Sequence, residues 1–224
     1  MPDLYMIPIC EFKIKDNLIF IQNHLLETLF SNLPLSVLLM TFTETKSKSR
    51  TIRILAISGS LRKISSNTSL LNAAIALSPK NVEMRFYHGL DDLPHFNPDI
   101  EEIPLSVKDL RLQIKWADGL IISSPEYAHG IPGVLKNALD WLVSGEEFVG
   151  KAIALFNASP RAIHAQAQLT EIVTTMAGRV VPKASIAVSL LGKNLDATGI
   201  IAHPNISGEV QYKITTFVNA IEQL

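Results

Sequence analysis

Strand-like and helix-like stretches alternate five times between Thr51 and Leu224, and few architectures accept such a chain. The strand candidates are Ile52–Ser58, Val82–Tyr87, Gly119–Ser124, Lys151–Ser159 and Val180–Val188. Most are short apolar runs rich in β-branched residues, the pattern of strands buried on both faces. Apolar residues at helical spacing mark Asn67–Leu77, Pro104–Ala117, Pro132–Val143, Ala162–Gly178 and Glu209–Leu224. This alternation implies an α/β fold, a doubly wound parallel sheet with helices on both faces. Pro182 has no N–H for a ladder, which places the fifth strand at an edge. Gly178 ends the fourth helix and suits a left-handed cap.

Residues 1–50 break the pattern and read as an extension and linker ahead of a domain spanning 51–224. Leu18, Ile21, Leu25 and Leu29 recur at helical spacing, which predicts a short amphipathic helix. Leu35–Phe42 is apolar but too short to separate strand from helix. Thr43–Arg50 is polar and basic and reads as a linker. The extension is either a docking helix, for a partner or a membrane surface, or an accessory segment; the latter includes residues upstream of a true start at Met40. Polar residues interrupt the stretch from Leu18 to Phe42, so no membrane span is expected. The first residues also lack the basic and apolar blocks of a signal peptide. A net charge of −1 argues against a nucleic-acid partner. The one cysteine, Cys10, allows no internal disulfide and no cysteine-based zinc cluster, which is compatible with a reducing, cytoplasmic setting.

Five strands fit the flavodoxin-like order 2-1-3-4-5, with ligands bound beyond the carboxyl ends of the strands. Two loops at such ends stand out. The first, "SGSLRKISSN", combines Gly59 for close backbone approach, Ser60, Ser65, Ser66 and Asn67 as short donors, and the Arg62 guanidinium. A helix follows at once, with free N–H groups and the positive end of its dipole. Capping alone accounts for one Ser or Asn; the whole set suits a phosphate. Neither a dinucleotide fingerprint nor a Walker pattern is present, so a terminal phosphate monoester fits better than a pyrophosphate. The second loop, "SPEYAHGIPG", fixes its backbone with Pro125 and Pro132, bends at Gly130 and Gly133, and offers the face of Tyr127. Such a loop presents main-chain groups to the edge of a planar heterocycle. A flavin is such a ring and carries its own redox chemistry, which explains the absence of an acid–base pair.

"GSLRKISSN" and "PEYAHGIPGVLKNALDWL" resemble the two signature loops of the NADPH-dependent FMN reductase family, which includes chromate, quinone and azo reductases. The resemblance runs from about Thr51 to Leu224. It implies non-covalently bound FMN, reduction by NADPH or NADH, transfer to a small acceptor, and a homodimer or homotetramer. By motif position Ser60, Arg62, Ser65 and Asn67 hold the phosphate. Pro125, Glu126, Tyr127 and Ala128 line the ring and ribityl arm, with Gly130 nearby. Many members carry asparagine at the Ala128 position, so Ala128 is expected to contact flavin through backbone. "NASP" (Asn157–Pro160) matches a third flavin-side loop.

The remaining polar residues read as structural. Glu126 is expected to bond backbone or a neighbouring subunit, and His129 to be solvated. Lys136 and Asp140 form a one-turn surface pair, and Trp141 packs in the core or an interface. His95 and its neighbouring carboxylates match no standard ligand spacing, so no metal site is expected. No side chain is assigned a catalytic role. The chain therefore reads as an FMN-dependent NAD(P)H oxidoreductase. The alternatives are a flavodoxin-type electron carrier, which near-zero net charge disfavours, and an assembly or sensing protein on the same fold.

Overall fold

The computed structural model describes residues 9–14, 17–22, 50–190 and 192–224. The chain divides into two units, Met1–Ser49 and Arg50–Leu224. In the first, β1 (Ile9–Ile14) pairs antiparallel with β2 (Asn17–Gln22), Ile9 opposite Gln22. The helix expected from Leu18 onward is therefore a strand over its first residues. "NLIFIQ" is rich in β-branched and aromatic types, and six paired positions outweigh a weak helical spacing. Leu25, Leu29, Leu35–Phe42 and the linker up to Ser49 lie outside the described residues.

The second unit runs β3 (Ile52–Ser58), α1 (Ser66–Ala76), β4 (Val82–Phe86), α2 (Leu105–Trp116), β5 (Gly119–Ser123), α3 (Gly133–Leu142), β6 (Ala152–Asn157) and α4 (Ile163–Thr175). The short strands β7 (Arg179–Val180) and β8 (Ile186–Ala187) follow, then helices α5 (Ala197–Ala202) and α6 (Pro204–Glu222). The sheet is parallel with order β4-β3-β5-β6-β7, and β8 also pairs with β6. This is the 2-1-3-4-5 order. The strands' period of two divides the core. Ile54 and Ala56 face Leu70 and Leu71 of α1 and Val210, Ile214 and Phe217 of α6. Leu55 and Ile57 face Leu110 and Ile114 of α2, Leu135 and Leu139 of α3, and Val173 of α4.

The fifth strand lies at the edge, as Pro182 required, but it is not continuous. A 3-10 turn, Pro182–Ala184, splits it. The hydroxyl of Ser185 then accepts the Leu155 N–H at 3.0 Å, supplying a bond that a regular strand would have made. The left-handed cap after α4 is also displaced by one residue. Ala177 takes it, with φ 60°, and Gly178 does not. The last helix begins at Pro204, ahead of its first periodic residue, because proline at N1 nucleates it there.

Tyr87, at the end of β4, is 2% exposed, and its hydroxyl has no partner among the described residues. Burial, reinforced by Asp109, Asp92 and Asp91, pushes its phenol far above the usual range. The folded chain thus keeps a proton that the unfolded chain releases above about pH 10. Stability from this group is complete below that pH and falls as pH rises past it. Tyr87→Phe removes an orphaned polar group and is expected to raise stability by about 1–2 kcal/mol near neutrality. Urea unfolding at about pH 7 and about pH 11 should also show a shallower alkaline loss in the variant.

Candidate functional site

Three crossings meet beyond the carboxyl ends of β3, β5 and β6. Gly59 leaves β3 with its N–H donating to Ser123 O at 2.8 Å. A Cβ at Gly59 would stand 3.0 Å from Leu135 Cδ2 and 3.3 Å from Ser124 Oγ, so glycine lets the first loop pass this close without displacing either side chain. Ser65 caps α1, its Oγ accepting the Thr68 N–H at 3.3 Å. Among the described residues the Ser66 and Asn67 amides have no acceptor, as at any helix start.

Asn67 joins the three loops. Its Oδ1 accepts from Ser123 Oγ at 2.9 Å and from Ala158 N at 3.2 Å, and all three residues are buried. One amide oxygen thus ties the start of α1 to the ends of β5 and β6. Asn157 shapes the third loop: its Oδ1 accepts Ser159 N at 2.9 Å and its Nδ2 donates to Ala162 O at 3.4 Å.

The second loop is a two-residue hairpin. Tyr127 and Gly130 exchange both backbone bonds at 3.0 Å. Ala128 (φ 48°) and His129 (φ 58°) occupy its corner in the left-handed region, as a type I′ turn demands. The positive φ therefore falls on these two residues, and Gly130 lies outside the left-handed region. Asparagine tolerates that conformation better than alanine, which gives a backbone reason for asparagine at the Ala128 position. Helix α4 holds the hairpin at both ends. Glu126 Oε2 accepts the Ala165 N–H at 2.9 Å, and Gln168 Oε1 accepts the Ile131 N–H at 2.7 Å. Ala162 cannot cap α4 with its own side chain, so the Glu126 carboxylate caps it from another loop, where negative charge suits the helix dipole.

These loops enclose a cavity of about 350 Å³, within the range of cofactor pockets. The first loop contributes Ser60, Arg62, Ser65, Ser66 and Asn67 to its wall, and the second Pro125, Glu126 and Tyr127. Ala128 and Gly130 belong to the hairpin tip and do not line it. The third loop adds Asn157, Ala158, Ser159, Arg161 and Ala162. Ser159 falls within the Asn157–Pro160 run that the sequence marked, whereas Arg161 was not singled out; an arginine directly after that run was the available signal. Among the described residues neither Arg62 nor Arg161 forms an ion pair. Both stand free to meet an anion. Two guanidiniums, serine hydroxyls and the first amides of α1 suit a phosphate dianion. The Glu126 N–H, also without a protein partner among the described residues, and the half-exposed Tyr127 ring suit the edge and face of a planar heterocycle.

A larger cleft, about 610 Å³, lies between the loop after β4 and α3. Its wall includes Leu61, Leu90, Leu93 and Phe96 as well as Lys136 and Asp140, which pair with each other at 2.6 Å. Its lining holds no serine or arginine and carries the carboxylates Asp91 and Asp140, so the smaller cavity is the candidate anion and cofactor seat despite its size. The loop beside the cleft is latched by α3. Trp141 Nε1 donates to Pro94 O at 2.8 Å, and Asn137 Oδ1 accepts the Phe96 N–H at 2.7 Å. Trp141 is thus a core residue with a defined polar task.

Residues 52–191 match the NADPH-dependent FMN reductase family. The chain belongs to that family. The cavity lining, with two arginines, serine hydroxyls and the start of α1, fits the phosphate of FMN. A quinone reductase of Escherichia coli (strain K12) is 26% identical over 185 residues, 79% of this chain and 98% of the relative. An NAD(P)H-dependent FMN reductase of Pseudomonas aeruginosa is 39% identical over 112 residues, 48% of this chain and 60% of the relative. Among solved structures, a flavoenzyme NAD(P)H:acceptor oxidoreductase from Paracoccus denitrificans superposes with TM-score 0.70 at 28% identity. That match covers 77% of this chain and 98% of the neighbour. The chain is an NAD(P)H-dependent FMN oxidoreductase by family. Among the described residues no helix is long and apolar enough to cross a membrane.

Proposed function

We propose that this protein passes reducing equivalents from NADPH or NADH to a small planar acceptor of the quinone class, through FMN held in the 350 Å³ cavity. The convergence of Arg62, Arg161 and the α1 amides carries this reading, because it forms an anion seat one loop away from an aromatic, amide-bearing wall. Ser60, Ser65 and the Ser66 and Asn67 amides hold the phosphate monoester, with Arg62 and Arg161 balancing its charge. Pro125, Glu126 and Tyr127 set the depth of the ring, while Ala128 and Gly130 shape the hairpin that carries them. Bound FMN supplies hydride acceptance and release. The protein's residues position it, keep one face open beside Tyr127, and require no side-chain acid or base. A homodimer or homotetramer is supported by apolar side chains exposed on the phosphate loop, Leu61 at 54% and Ile64 at 87%. Quinones rest on the Escherichia coli relative's name and on this flat, open site.

Purified protein is expected to bind FMN and to oxidise NADPH or NADH directly in the presence of a quinone. Arg62→Ala and Arg161→Ala should each weaken FMN by about tenfold, the worth of one charge-assisted bond. Riboflavin, which lacks the phosphate, should bind the variants and the parent alike. Failure to take up FMN, or equal losses for both flavins, would reject this seat.

A further inference from the structure

We propose that Glu126, His129 and His164 form a site for a borderline divalent cation of the Zn²⁺ class, and that the cation staples the second loop to α4. Glu126 and His129 come from the hairpin loop, and His164 from the second residue of α4. One ligand atom from each lies within 4.8 Å of the others. The two imidazole rings stack, with centroids 4.3 Å apart and planes 15° from parallel. Both rings are exposed and Glu126 is half-buried.

Two imidazoles and a carboxylate are a donor set of open, three-ligand zinc sites, with water in the fourth position. Ligand atoms about 2.0–2.1 Å from a tetrahedral ion stand roughly 3.3 Å apart. The gap to close is at most about 1.5 Å, and both imidazoles are exposed and unconfined by core packing. Glu126 Oε2 is fixed by the Ala165 N–H, and the other carboxylate oxygen has no protein partner among the described residues. His129 is likewise placed by the two bonds that close the hairpin. The start of α4 carries the positive end of a helix dipole, which opposes a cation beside His164. The Glu126 charge at the same helix end offsets it.

The donor set also selects. Imidazole favours Zn²⁺, Ni²⁺ and Cu²⁺, with Cu²⁺ the tightest, whereas Mg²⁺ prefers oxygens and keeps its waters. A bound ion would add a third tie between hairpin and helix, beside Glu126–Ala165 and Ile131–Gln168. Glu126 also walls the candidate flavin cavity, so the ion would hold that wall still.

The test is calorimetric titration of the full chain with ZnCl₂, with and without added FMN, paired with hydrogen exchange over Tyr127–Ile131. One Zn²⁺ per chain is expected, with no binding of MgCl₂. His129→Ala and His164→Ala should each weaken Zn²⁺ at least about tenfold, and the double variant should lose it. Both rings are exposed, so these changes remove no core packing. Zn²⁺ should slow exchange at Tyr127 and Gly130 in the parent and not in the double variant. No binding by the parent, or undiminished binding by the double variant, overturns the site. Binding that leaves exchange unchanged overturns the staple. Neither readout uses turnover, so the result is separable from that of the flavin reading.

Discussion

Replacing Asn67 with leucine is expected to destabilise the domain by about 3 kcal/mol and to abolish FMN binding. Leucine nearly matches the volume but offers no acceptor. The Ser123 hydroxyl, which is fully buried, and the Ala158 N–H would both lose Asn67 Oδ1 as their acceptor. Each stranded donor costs roughly 1–3 kcal/mol. The larger consequence is geometric. Asn67 ties the phosphate loop to the ends of β5 and β6, so without it the three loops lose their common anchor. Asn67→Asp separates the two effects. A carboxylate keeps the acceptor, so the fold should hold better than in Asn67→Leu. It also puts negative charge at the phosphate seat, so FMN should bind far more weakly. Urea unfolding and fluorescence titration with FMN check both variants. A leucine variant with parental midpoint and affinity would show that Asn67 is not the clip.

Gly178→Ala is expected to cost about 3 kcal/mol, near the upper end for overpacking. At an effect of 2–4 °C per kcal/mol, the melting temperature should fall by roughly 10 °C. The added Cβ would stand 2.6 Å from Ile153 Cδ1, 2.9 Å from Phe148 Cε1 and 2.8 Å from the Val173 carbonyl oxygen. Ile153 and Phe148 are fully buried and cannot withdraw. The carbonyl is also fixed, because it accepts the Gly178 N–H at 2.8 Å to close the helix. Strain is not the cause, since the left-handed residue is Ala177. Ala177→Gly should therefore move stability the other way, up by about 1 kcal/mol. Thermal melts of the two alanine–glycine exchanges, read side by side, test the assignment. Equal effects at 177 and 178 would refute it.

The alternation from Ile52 onward determined the sheet, its parallel sense and its strand order. Buried apolar runs and amphipathic helices leave one economical arrangement, and local pattern reports both directly. The phosphate loop was legible for a similar reason: Gly59, Ser65 and the start of α1 act through backbone conformation and a helix end close in sequence. Contacts between distant segments were not legible. Nothing in the local sequence announces that Asn67 bonds to Ala158, that Glu126 caps α4, or that Arg161 joins the first loop's guanidinium. Nor could spacing show His129 stacked on His164, thirty-five positions away. The left-handed corners at Ala128, His129 and Ala177 ran against the habit of assigning positive φ to glycine. Sheet geometry and helix packing chose those positions, because a turn's conformation is imposed by the elements it must join. Sequence thus pointed to the strand ends beyond which the candidate cavity lies. Tertiary structure decided which side chains face one another there, since loop-to-loop distance depends on how the strands align and not on any local propensity.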